Sequence, residues 1–300
     1  MSRKLMVGGL ILLLLLALIL GVLVGALQLH DKAGTGEARR VSVEPLPEWA
    51  RQPLPDFSQY QVVSERKAAF FDYLFPRVVL ANQRVLKLRQ HLRELQSKES
   101  LTEQDLEWLQ SQSERLRVSG ENGSERQMQA LAVKLDVVAP SLVLAQAANE
   151  SSWGTSRFAT QGNNLFGQWC WTQGCGHVPN RRPEGATHEV ARYDSPYGSI
   201  RSYIANLNRH EAYQSLRQLR ADERSGGSSA GGVALARGLE SYSERGLAYV
   251  REIQSMINFN QLTEYDAEFR RLLDSPDLRQ ELDQRVAEYE QRFGDNPSTP

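Results

Sequence analysis

The hydrophobic pattern of this chain changes twice, and each regime predicts a different kind of structure. From Leu5 to Leu27 there is no polar side chain, a run of 23 residues. At ~1.5 Å per residue that is roughly 34 Å of helix, enough to cross a bilayer core of about 30 Å. Arg3 and Lys4 precede the run, while His30, Asp31 and Lys32 follow it. The short basic end is therefore expected in the cytoplasm, with everything after residue 30 exported. A cleaved signal peptide is the alternative, since Val24-Gly25-Ala26 offers small residues for cleavage. Its apolar region would be longer than the roughly 7 to 15 residues usual for such peptides, which favours an uncleaved single-pass anchor in the inner membrane.

Residues 33–56, with two glycines and four prolines, read as an extended tether. Helical spacing then predicts helices over 64–75 and 78–95 with Pro76 at their joint, over 101–117 behind a Thr102 cap, and over 124–138. The charged pair at 86–95 and 101–116 does not hold an apolar repeat for enough heptads to be a coiled coil. It reads as an amphipathic hairpin. Another helix begins at Pro140, buries Leu142, Leu144, Ala145 and Ala148, and exits at Gly154.

After Trp153 the pattern turns to glycine, proline and short alternation such as HEVARY, so 161–194 reads as loop and short antiparallel strand. Asp194 or Ser195 caps a helix over 196–208. SGGSSAGG between Arg224 and Val233 reads as a flexible surface loop, with helices near 233–241 and 246–258 beyond it. Residues 266–293 are helical by spacing, with a break near Ser275-Pro276. The fold class expected is mainly helical α+β. Its parts are a stub (1–4), an anchor (5–29), a linker (30–58), a helical region (59–122), a main domain (123–262), C-terminal helices (263–293) and a disordered tail (294–300).

Composition narrows the function. With 35 basic and 36 acidic residues and a net charge of −1, no electrostatic case exists for nucleic acid. Protein partners are not readable. Cys170 and Cys175 are the two cysteines, and in an oxidising compartment they favour a disulfide over free thiols. A zinc set of Cys170, Cys175, His177 and His188 is the competing assignment, but its spacing fits no strong finger pattern. No G-x-S-x-G elbow or Walker motif occurs.

The candidate for chemistry is Glu150. It closes a short apolar helix and is followed closely by Trp153 and Gly154. The negative end of a helix dipole and an adjacent indole both disfavour a charged carboxylate, which suits a group that must donate a proton near neutral pH. On residue type alone, a glutamate near a helix end is more often a solvated surface residue.

AQAANESSWGTS followed by NNLFG resembles the signature of the glucosaminidases of glycoside hydrolase family 73. The bacterial Bax-like branch is closer still, through WGTS, NNLFG, the Cys170 to Cys175 pair and YIANLNRHEAY. The resemblance covers about 137–213 firmly and extends to 257. It implies a lysozyme-like core with a small β-hairpin lobe forming one wall of a sugar cleft. It also implies an endo-β-N-acetylglucosaminidase acting on peptidoglycan glycan strands, without a cofactor.

Residue by residue, the resemblance makes Glu150 the general acid. It offers Glu184, then Glu189, as second carboxylate; the 2-acetamido group of the sugar is the substitute if neither serves. Tyr242, in Tyr-Ser-Glu, is the candidate catalytic tyrosine and Tyr249 its reserve. Trp153, Trp169 and Trp171 are candidate sugar-binding aromatics; Trp169 and Trp171 flank Cys170 at period two, so one face of this segment is expected in the core and the other in the cleft. Asn163, Asn164, Phe166 and Gly167 are expected to shape the cleft floor, and Arg181 and Arg182 to meet acidic groups of the substrate or solvent. Three alternatives stay open: a lytic transglycosylase, a wall-binding scaffold with a degenerate site, and a metal-dependent amidase.

Overall fold

The computed structural model describes residues 45–180, 182 and 185–294. The predicted anchor, the tether up to residue 44, Arg181, Glu184 and the tail beyond Gly294 lie outside them. Among the described residues no helix is long and apolar enough to cross a membrane.

The first surprise is the segment expected to be a tether. Residues 45–58 are packed, forming helix α1 (Glu48–Arg51) and a 3-10 turn (Phe57–Gln59). Trp49, Ala50 and Phe57 are buried there, Trp49 Nε1 donates to Asp283 at 2.7 Å, and the Arg77 guanidinium lies 5.6 Å above the Trp49 ring. Proline density read as stiffness, whereas the two aromatics drive docking through the apolar area they remove from water.

Pro76 does not divide its region either. Helix α2 is continuous from Val63 to Gln96, 34 residues, with Pro76 inside it. The proline removes one amide from the ladder. Buried Phe70, Leu74, Phe75, Val78 and Val79 hold both halves to one core and keep the helix intact across the defect. Helix α3 (Glu103–Leu116) starts at the expected cap, where Thr102 and Asp105 form a reciprocal capping box. Helix α4 (Glu125–Lys134) stops earlier than its apolar spacing predicts. Beyond it Asp136 is drawn to Arg224 Nε at 2.6 Å and Arg89 Nη1 at 3.6 Å, an ionic joint that fixes the chain outside the helix.

Helix α5 (Pro140–Ser151) is the centre of the domain. It packs against α2, against α9 (Gly232–Leu235), against α10 (Leu247–Phe259) and against α11 (Thr263–Leu273). Its N-terminal amides are capped from a distance. The buried Asp266 carboxylate of α11 accepts from Ser141 N at 2.8 Å, Ser141 Oγ at 2.6 Å and Gly232 N at 3.2 Å. The SGGSSAGG segment therefore ends in a close contact rather than in open loop. A Cβ at Gly232 would strike Ser141 Oγ and the Leu142 nitrogen.

Phe269 and Leu272 of α11, and Leu282 and Val286 of α12 (Leu278–Phe293), join the same cluster as α2 and α5. A second, smaller cluster lies under the far end of α2, α3 and α4, from Leu88 to Leu135.

Between α6 (Arg157–Gly162) and α7 (Pro196–Arg209) lies the small sheet. Strands β1 (Trp169–Cys170), β2 (Gly176–His177) and β3 (Glu189–Ala191) are antiparallel, with β3 in the middle. The expected hairpin thus becomes three strands. Cys170 faces Glu189 and Gly176 faces Ala191 in the register. Ser195, one of the two predicted caps, accepts from Gly198 N and opens α7. Helix α8 (Gln214–Ser225) follows.

Candidate active site

Helix α5 is buried from Pro140 to Ala148, and Asn149 and Glu150 are half-exposed at its end. The chain leaves the helix through three successive left-handed residues: Ser152 at φ 52°, Trp153 at 61° and Gly154 at 78°. For a residue with a Cβ this costs roughly 1–2 kcal/mol, so the surroundings must hold it. They do so through Trp153 N to Ala148 O at 2.9 Å, Gly154 N to Ser151 Oγ at 2.7 Å and Ser156 N to Ser151 O at 2.9 Å. Only glycine suits position 154, because a Cβ would lie 2.6 Å from the Phe57 ring. The Trp153 ring is placed edge-on to Phe70 and Phe71, at 5.8 and 5.3 Å, with Lys67 Nζ 5.0 Å from its centre.

A chain of hydrogen bonds orients Glu150. Tyr203 OH donates to Gln146 Oε1, which turns the amide so that its Nε2 donates to Tyr249 OH at 2.8 Å. The Tyr249 proton is then left for Glu150 Oε1, at 2.7 Å. Asn149 Nδ2 reaches the same oxygen at 3.2 Å. Among the described residues no hydrogen bond engages Oε2.

Tyr249, the reserve tyrosine of the sequence, is thus the hydroxyl on the acid. Tyr242 stacks parallel on it at 5.3 Å and donates to the Phe166 carbonyl at 3.1 Å. Phe166 in turn stacks on Tyr203 at 4.0 Å, closing an aromatic ring of residues from four segments. Burial holds the Tyr203, Tyr242 and Tyr249 hydroxyls well above the usual phenol range, and neighbouring phenols and Glu150 push them further. They remain neutral donors at any pH the protein meets.

The NNLFG segment is fastened by its two asparagine side chains. Asn164 Nδ2 donates to Gln168 O at 2.9 Å and Ala191 O at 2.8 Å, while its Oδ1 accepts from Phe166 N and Gln168 N. Asn163, itself left-handed at φ 50°, donates to Tyr193 O at 2.9 Å. Both amides tie the exit of α6 to β3 and the residues just after it, beside Phe166 where Tyr242 meets it.

In the lobe Cys170 and Cys175 are joined as a disulfide, so both sulfurs of the zinc alternative are engaged with each other. Glu189, only 5% exposed, accepts from Gly174 N at 3.0 Å and Gly176 N at 2.8 Å. Those two amides hold its carboxyl below the usual range. Both oxygens are committed to the disulfide loop, which makes Glu189 a fastener. Glu184 lies outside the described residues.

Trp169 and Trp171 are 57% and 67% exposed. Residues two apart share a face, and both indoles stand on the exposed one. His188 stacks on Trp169 at 4.2 Å and lies 5.9 Å from Trp171, joining the two exposed indoles in an aromatic group of three. Arg182 Nη1 meets His188 O at 3.3 Å. Sequence reasoning missed Gln146 and Tyr203. Gln146 is four residues before Glu150 and so on its helix face, a signal that was available; nothing local marks Tyr203.

A family model described as mannosyl-glycoprotein endo-beta-N-acetylglucosaminidase matches residues 125–262. Protein bax of Escherichia coli (strain K12) is 30% identical over 210 residues, covering 69% of this chain and 74% of that protein. The chain belongs to the bacterial Bax-like glucosaminidases. No solved structure matches it. The matched segment runs from the first residue of α4 to just past α10, and so contains Gln146, Glu150, Tyr203, Tyr242, Tyr249 and the whole lobe. Membership places the chain among glycoside hydrolases.

Proposed function

We propose that the protein is an endo-β-N-acetylglucosaminidase that hydrolyses β-1,4 bonds in peptidoglycan glycan strands, with Glu150 as general acid. The observation that supports this is the Tyr203–Gln146–Tyr249 chain ending on Glu150 Oε1, while Oε2 takes no hydrogen bond among the described residues. In this scheme the Oε2 proton passes to the glycosidic oxygen as its bond to the anomeric carbon breaks. The oxocarbenium-like carbon then takes a hydroxyl from water, whose remaining proton returns to the site. The product is a chain ending in reducing N-acetylglucosamine.

Help at the anomeric carbon falls to Glu184 or to the sugar's own 2-acetamido oxygen, since Glu189 is committed to Gly174 and Gly176. Trp169 and Trp171 offer flat apolar faces for sugar rings beyond the cut bond. No cofactor enters the scheme. The N-terminal apolar run would hold the domain at the outer face of the inner membrane, where the wall polymer lies; cell fractionation checks this, since recovery as a soluble periplasmic protein would replace the anchor with a cleaved signal.

A digest of purified peptidoglycan by the full chain, beside Glu150→Gln, tests the reaction by mass spectrometry of new chain ends. Reducing N-acetylglucosamine ends that vanish in the variant are expected. Because the described site presents a single free acid, a lytic transglycosylase is the second reading, and anhydro-muramyl ends would establish it instead. Binding without any new ends would make the protein a scaffold.

A further inference from the structure

A groove of about 920 Å³ lies between α2, the end of α3 and the outer face of α7, away from Glu150. Six arginines line it: Arg51, Arg84, Arg115, Arg192, Arg201 and Arg209. Among the described residues of its lining, Asp194 is the one carboxylate. Elsewhere the fold gathers several arginines on single carboxylates. Arg89, Arg220 and Arg224 gather on Asp136, and Arg271 and Arg285 on Glu268.

In the groove this pairing is missing. Among the described residues Arg51, Arg84, Arg192, Arg201 and Arg209 form no ion pair, and Arg115 meets only the neutral Gln112 Oε1, at 2.6 Å. The Nε of Arg209 is buried with no hydrogen-bond partner. The charges are close enough to oppose one another: Arg115 is held below the usual guanidinium range first by desolvation, then by Arg84, Arg201 and Arg209. Crowded guanidinium groups around an open groove form a field that an anion relieves, and their planar forks match carboxylates.

The size of the groove says what kind of anion. Arg201 and Arg209 are eight residues apart on one face of α7, about 12 Å along the helix. A single small ion cannot engage both ends. An extended ligand with several acidic groups can.

The groove shares its supporting helix with the candidate active site. Tyr203 on α7 completes the network at Glu150, while Arg201 and Arg209 face the groove. Tyr193 OH joins Gln168 of the lobe, at 2.9 Å, to Ser202 of α7, at 3.0 Å, along the groove's edge. Helix α7, about 10–12 Å across, lies between the groove and the hydrogen-bond chain that ends on Glu150. A peptide branch of four or five extended residues reaches roughly 13–17 Å.

We infer that this groove binds the carboxylates of the peptide branch carried by the sugar beside the cut bond, so that the protein prefers branched over naked glycan. The inference rests on peptidoglycan being the substrate.

The test compares the full chain with Arg192→Glu/Arg201→Glu, whose side chains are exposed. Rates are measured on peptide-bearing glycan and on glycan stripped of its peptides by an amidase. Binding is measured to the free tetrapeptide, to its amidated form and to phosphatidylglycerol vesicles. Wild type should favour the branched glycan and the unamidated peptide, and the double variant should lose about tenfold or more of that preference. Equal losses on both glycans would overturn the inference by making the arginines structural. Binding to vesicles but not to peptide would overturn it in favour of a phosphate ligand. If wild type cuts neither glycan yet the peptide binds through these arginines, the groove stands and the glucosaminidase reading falls.

Discussion

The end of α5 and the small β-lobe carry the candidate chemistry and the candidate sugar contacts, and they are held in opposite ways. Glu150 depends on partners far away in sequence: Tyr203 lies 57 residues from Gln146, and Tyr249 lies 99 from Glu150. The lobe is fastened locally, by a disulfide spanning five positions and by Glu189 bonds to amides 13 and 15 residues away. One region is buried and over-determined. The other keeps two tryptophans in water. A proton donor needs a fixed geometry set by the whole core, whereas a surface that meets a long polymer can be a small, separately stabilised unit.

Removing the acid should separate chemistry from support most sharply. Glu150→Gln is expected to lower kcat by 10²–10⁴, about the usual contribution of a general acid, with thermal stability almost unchanged. A large loss of Tm would show that the carboxylate is part of the fold rather than its cargo. Gly154→Ala attacks the support instead. The left-handed backbone and the Phe57 contact predict roughly 2–4 kcal/mol of destabilisation in a urea titration. A neutral result would mean that the exit turn relaxes freely.

In the lobe, replacing both Cys170 and Cys175 by serine should cost roughly 2 kcal/mol on a chain-entropy estimate. If the two regions are independent, kcat stays near wild type while KM rises; a matching collapse of kcat would show that the lobe positions Glu150. Smaller still are Trp169→Ala and Trp171→Ala. Each is expected to weaken substrate by roughly 1 kcal/mol, about fivefold in KM, at constant Tm.

Acid offers the mildest discrimination. Glu189 is depressed by its amide partners, so its contribution is complete above the unfolded value of 4.5 and is lost as pH falls through the lower folded value. Asp266 behaves oppositely: burial raises it above 3.8, so protonating it favours the folded state as pH falls through that raised value. Amide exchange in acid should therefore accelerate at Gly174 and Gly176 before it does at Ser141 and Gly232.

Much of this was legible residue by residue. Thr102 and Ser195 capped the helices that their hydroxyls predicted, Pro140 opened α5, and the glycine-rich alternation after Gln161 gave short strands. These features rest on contacts within a few residues. Helix periodicity also put Glu150 at the end of a buried helix. The same local logic failed where distant groups intervened, as at Pro76, held inside α2 by the core, and at residues 45–58, docked through Trp49 and Phe57.

By itself, then, the sequence determined most of the helices, roughly where the sheet lies and which family the motif resembles, and it singled out Glu150 as the candidate acid. Which tyrosine meets Glu150, that Glu189 fastens a loop, and that six arginines from five segments face one groove were decided only by the tertiary structure. Periodicity and capping are set by neighbours on the chain. Hydrogen-bond direction and charge crowding depend on groups that become neighbours only when the core packs, and no spacing rule encodes them.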